Sequence, residues 1–335
     1  MSRRRVRTRR AALGLAFTVA AVTALSGCSA LGSDSSDGAS NGGGNLEKPK
    51  IKVAILPTVD TAPLWLAQDA GYFKAEGLEV EAIVAASGQA AMTKAVSGET
   101  DISISSYMPF FVAKATGAAD LQLVADATSV SPKSVAIVTV PNSPVKTVTD
   151  LGNKRIAMTA KNTASDLLAK SLMKDHGVDI NKVTWVQMPF PNVGAALQSG
   201  QVDAALLPEP FLTQTAKTAG AIPVIDVNTG ATQDFPLSGY GSTRKWVQAN
   251  PKTLAAFQRA LQKATSEMNK DRSKIEPLLV KYAKIDEDSA KLLGLPSFGV
   301  KLDPRRIQRV PDLMLQMGAI TSPVDATQMI APQTD

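Results

Sequence analysis

The sequence predicts an α/β protein of two lobes, each built on a mainly parallel sheet flanked by helices. From about residue 50 onward, short apolar runs alternate with helical patterns, and strands spaced by helices of about 10–15 residues read as βαβ units. The roughly 285 residues of this region suffice for two domains of ordinary size. A local repeat adds the second lobe: "SGETDISIS" at 97–105 resembles "SGQVDAALL" at 199–207. In both, a helix ends on a glycine (Gly98, Gly200) that can take positive φ and cap it. An aspartate (Asp101, Asp203) then precedes a strand.

The elements follow in order. "IKVAILP" (51–57) reads as a strand, "PLWLAQDAGYFKAEG" (63–77) as a helix with Pro63 near its first turn, and "LEVEAIVA" (78–85) as a strand. "GQAAMTKAVSG" (88–98) is a helix, "DISISS" (101–106) a strand, "MPFFVAKATG" (108–117) a helix and "LQLVADA" (121–127) a strand. In the helix 108–117, Phe110 and Phe111 are core residues. After "SVAIVTV" (134–140) and the turn "PNSP" come "KRIAMT" (154–159), the helix 163–177, "VTWVQM" (183–188), the helix 192–200 and "DAALLP" (203–208). The helix 209–220 and "IPVID" (222–226) close this series. Beyond residue 243 strands give way to long amphipathic helices, notably 251–268 and 303–320.

The first fifty residues have a different character. Six arginines and no acid in residues 1–10 precede the apolar "AALGLAFTVAAVTAL", which is the length of a signal-peptide core and short of the roughly 20 residues a spanning helix needs. "LSGC" follows, ending on Cys28, the only cysteine of the 335 residues. This resembles a bacterial lipobox, in which the cysteine receives a diacylglycerol and becomes the first residue of the mature chain. The resemblance implies a signal peptide over 1–27 and a membrane anchor through the lipid on Cys28, two acyl chains being what stable attachment requires. "TRRAAL" also resembles a twin-arginine signal, so either export route fits. The Ser-, Gly-, Asp- and Asn-rich stretch from 29 buries almost nothing and reads, to residue 49, as a flexible tether.

Export changes the meaning of the charge. The chain carries 36 basic and 30 acidic residues; without residues 1–27, which hold six arginines and no acid, the balance is even. A basic stripe for nucleic acid therefore has no compositional support. His176, the only histidine, sits at the end of a helix before a glycine, where its partial charge is favoured. With no other histidine and no cysteine in the body, Ser-His or Cys-His catalysis and His-rich metal sites lack their raw materials. No G-x-x-x-x-G-K-[ST] loop is present for a nucleotide. No cofactor and no metal are expected.

In open α/β sheets, ligands lie at the carboxyl ends of the strands. Here those ends are the loops 58–63, 86–89, 105–109, 159–163, 189–192 and 208–211. Thr58, Thr61, Ala62 and Pro63 come from the first, Ser87, Gly88 and Gln89 from the second, Ser106 and Tyr107 from the third. Lys161, Asn162 and Thr163 follow, then Phe190 and Glu209. Several precede helices, where free N–H groups receive an anion or carbonyl, although each is also an ordinary N-cap. Glu209, between two prolines, either caps its helix or accepts hydrogen bonds from an amino or amidine group. Lys161 faces solvent or a ligand anion; Tyr107 and Tyr240 stack on a ligand or cover a hinge.

"AQDAGYFKAEGLEVE", "ASGQAAMTKAVSGETDISISS", "GQVDAALLPEPF" and "NPKTLAAFQRALQKA" together resemble the type II periplasmic binding proteins. Among these the sequence is most similar to the nitrate, sulfonate and taurine binders and their thiamine-pyrimidine-synthase-like relatives, over residues 50 to 325. The resemblance implies a two-lobed fold whose chain crosses twice, near 134–140 and 237–243, with ligand trapped in the cleft. Lobe one is then 50–136 plus 241–330, and lobe two is 137–240. It further implies a monomeric, non-enzymatic receptor that hands a small polar solute to an ABC permease and its ATPase. A sulfonate, taurine or nitrate is the expected solute, with an aminopyrimidine as the alternative. The synthases' histidine and cysteine-rich motif have no counterpart here, which weighs against an enzyme. A sensor or adhesion role on the same fold stays open.

Overall fold

The computed structural model describes residues 45–334; Cys28, the signal peptide and the tether up to residue 44 lie outside the described residues. Within them the chain forms β1 (Lys50–Ile55), α1 (Ala62–Asp69), α2 (Tyr72–Ala75), β2 (Glu79–Val84), α3 (Gly88–Ser97), β3 (Ile102–Ser106), α4 (Tyr107–Thr116) and β4 (Leu121–Ser129). Next come β5 (Val135–Thr139), β6 (Arg155–Met158), α5 (Ala164–Asp175), β7 (Thr184–Gln187), α6 (Phe190–Gln198), β8 (Ala204–Pro208), α7 (Phe211–Ala219) and β9 (Ile222–Asp226). The chain finishes with β10 (Pro236–Thr243), α8 (Arg244–Ala249), α9 (Pro251–Lys270), α10 (Glu276–Ala283), α11 (Glu287–Leu292), β11 (Ser297–Phe298) and α12 (Pro304–Gln316).

Two sheets result, ordered β11-β4-β10-β3-β1-β2 and β7-β6-β8-β5-β9. Apart from β11 they share one plan. In each, three parallel strands (β2-β1-β3; β7-β6-β8) are followed by a strand antiparallel to both its neighbours. That strand comes from across the molecule: β10 enters sheet one after lobe two is complete, and β5 enters sheet two before lobe two begins. Each sheet is therefore mixed, with its strands running mainly in one direction and the exchanged strand, together with the short β11 in sheet one, opposed to them. The chain passes between the sheets at 130–134 and 227–235. These segments precede the stretches 134–140 and 237–243, which are largely β5 and β10, inside the sheets.

The repeated S-G-x-x-D motif has a structural basis. Asp101, before β3, accepts from the backbone N–H of Lys52 in β1 (2.9 Å), and Asp203, before β8, accepts from that of Arg155 in β6 (2.8 Å). The aspartates also donate their own N–H to the carbonyls of these residues, at 2.8 Å in both lobes. Each clamps the third strand of its sheet's parallel trio to the first of that trio. Gly98 and Gly200 have φ of +80° and +68°, the left-handed conformation that glycine adopts without steric cost.

β10 follows from close packing rather than β-propensity. A Cβ at Gly239 would lie 2.4 Å from the ring of Tyr107, and one at Gly241 would lie 2.4 Å from the ring of Phe110. Glycine lets the start of α4 rest directly on the strand. On the other face Tyr240 meets Phe257 of α9 edge-on, 5.6 Å between centroids. The N-terminal segment joins this packing before residue 50. Glu47 accepts from the N–H groups of Lys252 and Thr253 at the start of α9, and Lys48 pairs with Asp101. The largest apolar cluster runs from Phe110 and Phe111 in lobe one to Leu167 and Leu168 in lobe two, through Val130, Val227 and Phe235 at the crossings.

Candidate functional site

The carboxyl ends of β1, β3, β6 and β8 face one another across the gap between the sheets and enclose a cavity of about 80 Å³. Lobe one contributes Thr58, Val59 and Asp60 after β1, Gly88 at the start of α3, Ser105 and Ser106 at the end of β3, and Thr128, Ser238 and Pro296. Lobe two contributes Ser134, Thr159, Thr163, Ala164, Ser165, Phe190, Pro208 and Glu209. The lobes touch around it: Val59 N–H donates to the Glu209 carbonyl (3.3 Å), and Ala164 N–H donates to Ser106 Oγ (3.3 Å). Outside the cavity, Lys217 of α7 pairs with Asp286 beside α11 at 2.7 Å.

Of the residues named from sequence, Thr58, Gly88, Ser106, Thr163, Phe190 and Glu209 lie on this wall. The others lie elsewhere. Thr61 is buried, with its hydroxyl donating to the Thr58 carbonyl (2.8 Å); Ala62 and Pro63 are packed in the first turn of α1. Ser87 caps α3 by accepting from Ala90 N–H, and Gln89 is in the first turn behind it. Lys161 is exposed, and Asn162, at φ +59°, donates its N–H to Asp166. Tyr107 is fully buried, its hydroxyl donating to Asp126 at 2.6 Å, while Arg306 pairs with the other Asp126 oxygen. Tyr240 is also fully buried. Neither tyrosine presents a ring to the cavity. His176 donates from Nδ1 to the Leu172 carbonyl (2.8 Å), a helix-end contact remote from the wall.

Several wall residues were not singled out from sequence. Asp60, Ser105 and Thr159 fall inside loops that the strand-end rule marks, so position found the loop and chemistry would have had to choose the residue. Ser134 and Ser238 reach the wall through the strand exchange, Thr128 from β4 beside the exchanged β10, and Pro296 through the C-terminal segment; no local signal announces them.

The wall is rich in hydroxyls and carries two carboxylates. At the start of α5, Thr159, Thr163 and Ser165 hydrogen-bond among themselves at 2.8–3.5 Å. Ser105 Oγ is enclosed and has no protein partner; a Cβ on Gly88 would stand 2.3 Å from it, so glycine is what lets α3 begin there. Glu209 is 4 % exposed. Burial raises its pKa to about 7, against the pull of the Thr213 hydroxyl and N–H and the Gly294 N–H. Both oxygens thus cap α7, at 2.7 Å to Thr213 Oγ1 and 3.1 Å to Thr213 N. Asp60 lines the cavity and is half-buried. Burial raises its pKa as well, opposed by the hydroxyls of Thr58 and Ser238. No Lys, Arg or His is among the residues lining the cavity.

The family model described as NMT1/THI5 like matches residues 58–274, well over half of the chain and both crossings. The chain belongs to the NMT1/THI5-like family. Among curated relatives, a Bacillus subtilis (strain 168) protein named for binding aliphatic sulfonates is 26 % identical over 258 residues, covering 75 % of this chain and 72 % of its own. An Escherichia coli (strain K12) protein of the same name is 26 % identical over 200 residues, covering 60 % and 58 %. The alkanesulfonate-binding protein SsuA from Xanthomonas axonopodis pv. citri, solved with MOPS, superposes with a TM-score of 0.72 at 19 % identity, over 85 % of this chain and 99 % of its own. The nitrate-binding protein NrtA from Synechocystis PCC 6803 gives 0.68 at 16 %, over 83 % and 84 %. At these identities the structural likeness establishes the two-lobed periplasmic-binding-protein fold.

Proposed function

We propose that this chain is the extracytoplasmic receptor of an ABC importer, a lipoprotein held by Cys28 that captures a small polar solute between two lobes. The observation that carries the reading is the cavity itself, walled by strand-end loops of both lobes and closed by contacts between them. A cavity of about 80 Å³ suits a small polar solute such as nitrate, a short alkanesulfonate, taurine or a simple aminopyrimidine. The names of the relatives point to the same classes. A binding role is favoured over an enzymatic one because the relatives and structural neighbours are named for binding. The permease and ATPase follow as partners from this role.

Thermal-shift screening of the purified body against sulfonates, taurine, nitrate and aminopyrimidines tests the proposal. At a hundred times the dissociation constant a ligand should stabilise by about 2.7 kcal/mol. A folded protein that responds to none of these classes would count against it. For the anchor, Cys28→Ser should abolish incorporation of labelled palmitate in cells; labelling equal to wild type would rule Cys28 out.

A further inference from the structure

We propose that Asp60 is the specificity residue of this site, seating a protonated or N–H-rich nitrogen of the solute, so that the receptor selects amino-bearing solutes over bare oxyanions. The inference rests on the receptor reading and narrows its substrate class. Its first support is charge. The lining residues include two carboxylates and no cation, and no ion pair involves Asp60 among the described residues. An oxyanion brought into this cavity would face both carboxylates with only hydroxyls and backbone N–H groups to offset them.

The two acids are not equivalent. Glu209 has both oxygens engaged by Thr213 at the start of α7, which accounts for it as a cap. Asp60 caps nothing. It receives the hydroxyls of Thr58 and Ser238, and Ser238 is itself bonded to Thr128 at 2.8 Å. With its own backbone N–H as a further donor, Asp60 still keeps acceptor capacity, since a carboxylate offers about four acceptor sites. A second, independent observation marks the same cavity as a polar ligand site: Ser105 Oγ, on a residue 3 % exposed, lies on its wall without a protein partner. A solute with a nitrogen on Asp60 and a polar tail on the serine and threonine hydroxyls satisfies both groups.

The test compares taurine with ethanesulfonate, identical except for the amino group, and includes 4-aminopyrimidine and nitrate, by calorimetric titration of the purified protein. Taurine or the aminopyrimidine should bind at least about tenfold more tightly than ethanesulfonate or nitrate. Asp60→Asn should weaken the amino-bearing ligand about ten- to a hundredfold, narrow the gap between the two classes, and raise the melting temperature of the unliganded protein. If Asp60 were only a structural acid, its replacement would lower that temperature and leave selectivity intact. Ethanesulfonate or nitrate binding as tightly as taurine would overturn this inference and leave the receptor reading standing. Binding of none of the four by folded protein would overturn both. The wild-type comparison decides the matter even if the variant fails to fold.

Discussion

Glu209 is buried in a place that does not suit its charge. Burial raises its pKa from 4.5 to about 7, and the Thr213 and Gly294 donors only partly offset that. Between these values the folded protein holds a proton that the unfolded chain has released. Stability is therefore greatest at the acid end of that window and falls as pH rises through 7. The loss attributable to Glu209 is on the order of 3 kcal/mol, and Asp60, shifted in the same direction by burial, adds to the slope. Melting of the unliganded protein at pH 5 and pH 8 should show a fall in wild type and a flatter line in Glu209→Gln; equal slopes would sink the argument. Sequence singled out Glu209 because an acid between two prolines at a strand end is conspicuous. It passed over Asp60 in "TVDTAP", where the composition is that of any turn. What separates the two is which oxygens remain open to the cavity, and that depends on Thr213, Thr58 and Ser238 rather than on local sequence.

Among the elements, the clamp between the first and third strands of each sheet is the most exposed to a decisive test. Asp101 is 7 % exposed and accepts from Lys52 N–H, from Trp246 Nε1–H at 2.7 Å and from Lys48. Asp203 has a more accessible side chain and bonds Arg155 through backbone and guanidinium. Asp101→Ala should cost about 2–4 kcal/mol, since it leaves a shielded N–H and an indole N–H unpaired, and Asp203→Ala about 1–2, since water can replace it. Chemical denaturation of both variants checks the order; a larger loss from Asp203→Ala would refute it. The repeat that carries these aspartates was legible because a glycine cap, two free positions and an acid have fixed local roles. β10 was not, because "SGYGST" has poor β-propensity and its strand is set by the rings of Tyr107 and Phe110 lying on Gly239 and Gly241. Tyr107 and Tyr240 left the expected site for the same reason: the ring of Tyr107 lies on Gly239 of β10 and that of Tyr240 against Phe257 of α9, which takes both into the core.

At the scale of the molecule the question is what holds the lobes together. Direct links beside the cavity are the Val59–Glu209 and Ala164–Ser106 hydrogen bonds, each 3.3 Å long, the Gly294 N–H donating to the Glu209 carboxylate, the Gln214 amide donating to the Ala283 carbonyl (3.4 Å), and the Lys217–Asp286 pair, whose side chains are 62 % and 49 % accessible. Long hydrogen bonds and exposed ion pairs contribute little. Closure without solute also leaves Ser105 Oγ enclosed and unpaired, which opposes it. The connection that persists on opening is at the crossings, where Val130 N–H donates to the Phe235 carbonyl (2.9 Å) and Val227 N–H to the Val135 carbonyl (3.0 Å). We therefore expect the unliganded protein in solution to favour an open state hinged at 130–134 and 227–235, with β5 and β10 moving as parts of their sheets. A solute that contacts both lobes binds the closed state preferentially and shifts the population by that difference in affinity alone. The radius of gyration from X-ray scattering should then fall on saturation with a ligand confirmed by titration. Amide exchange should slow on both cavity walls while the cores of β5 and β10 stay protected throughout. Scattering unchanged at saturation would mean that the lobes are already closed and that solute enters by another motion; loss of protection within β5 or β10 on opening would move the hinge into the sheets.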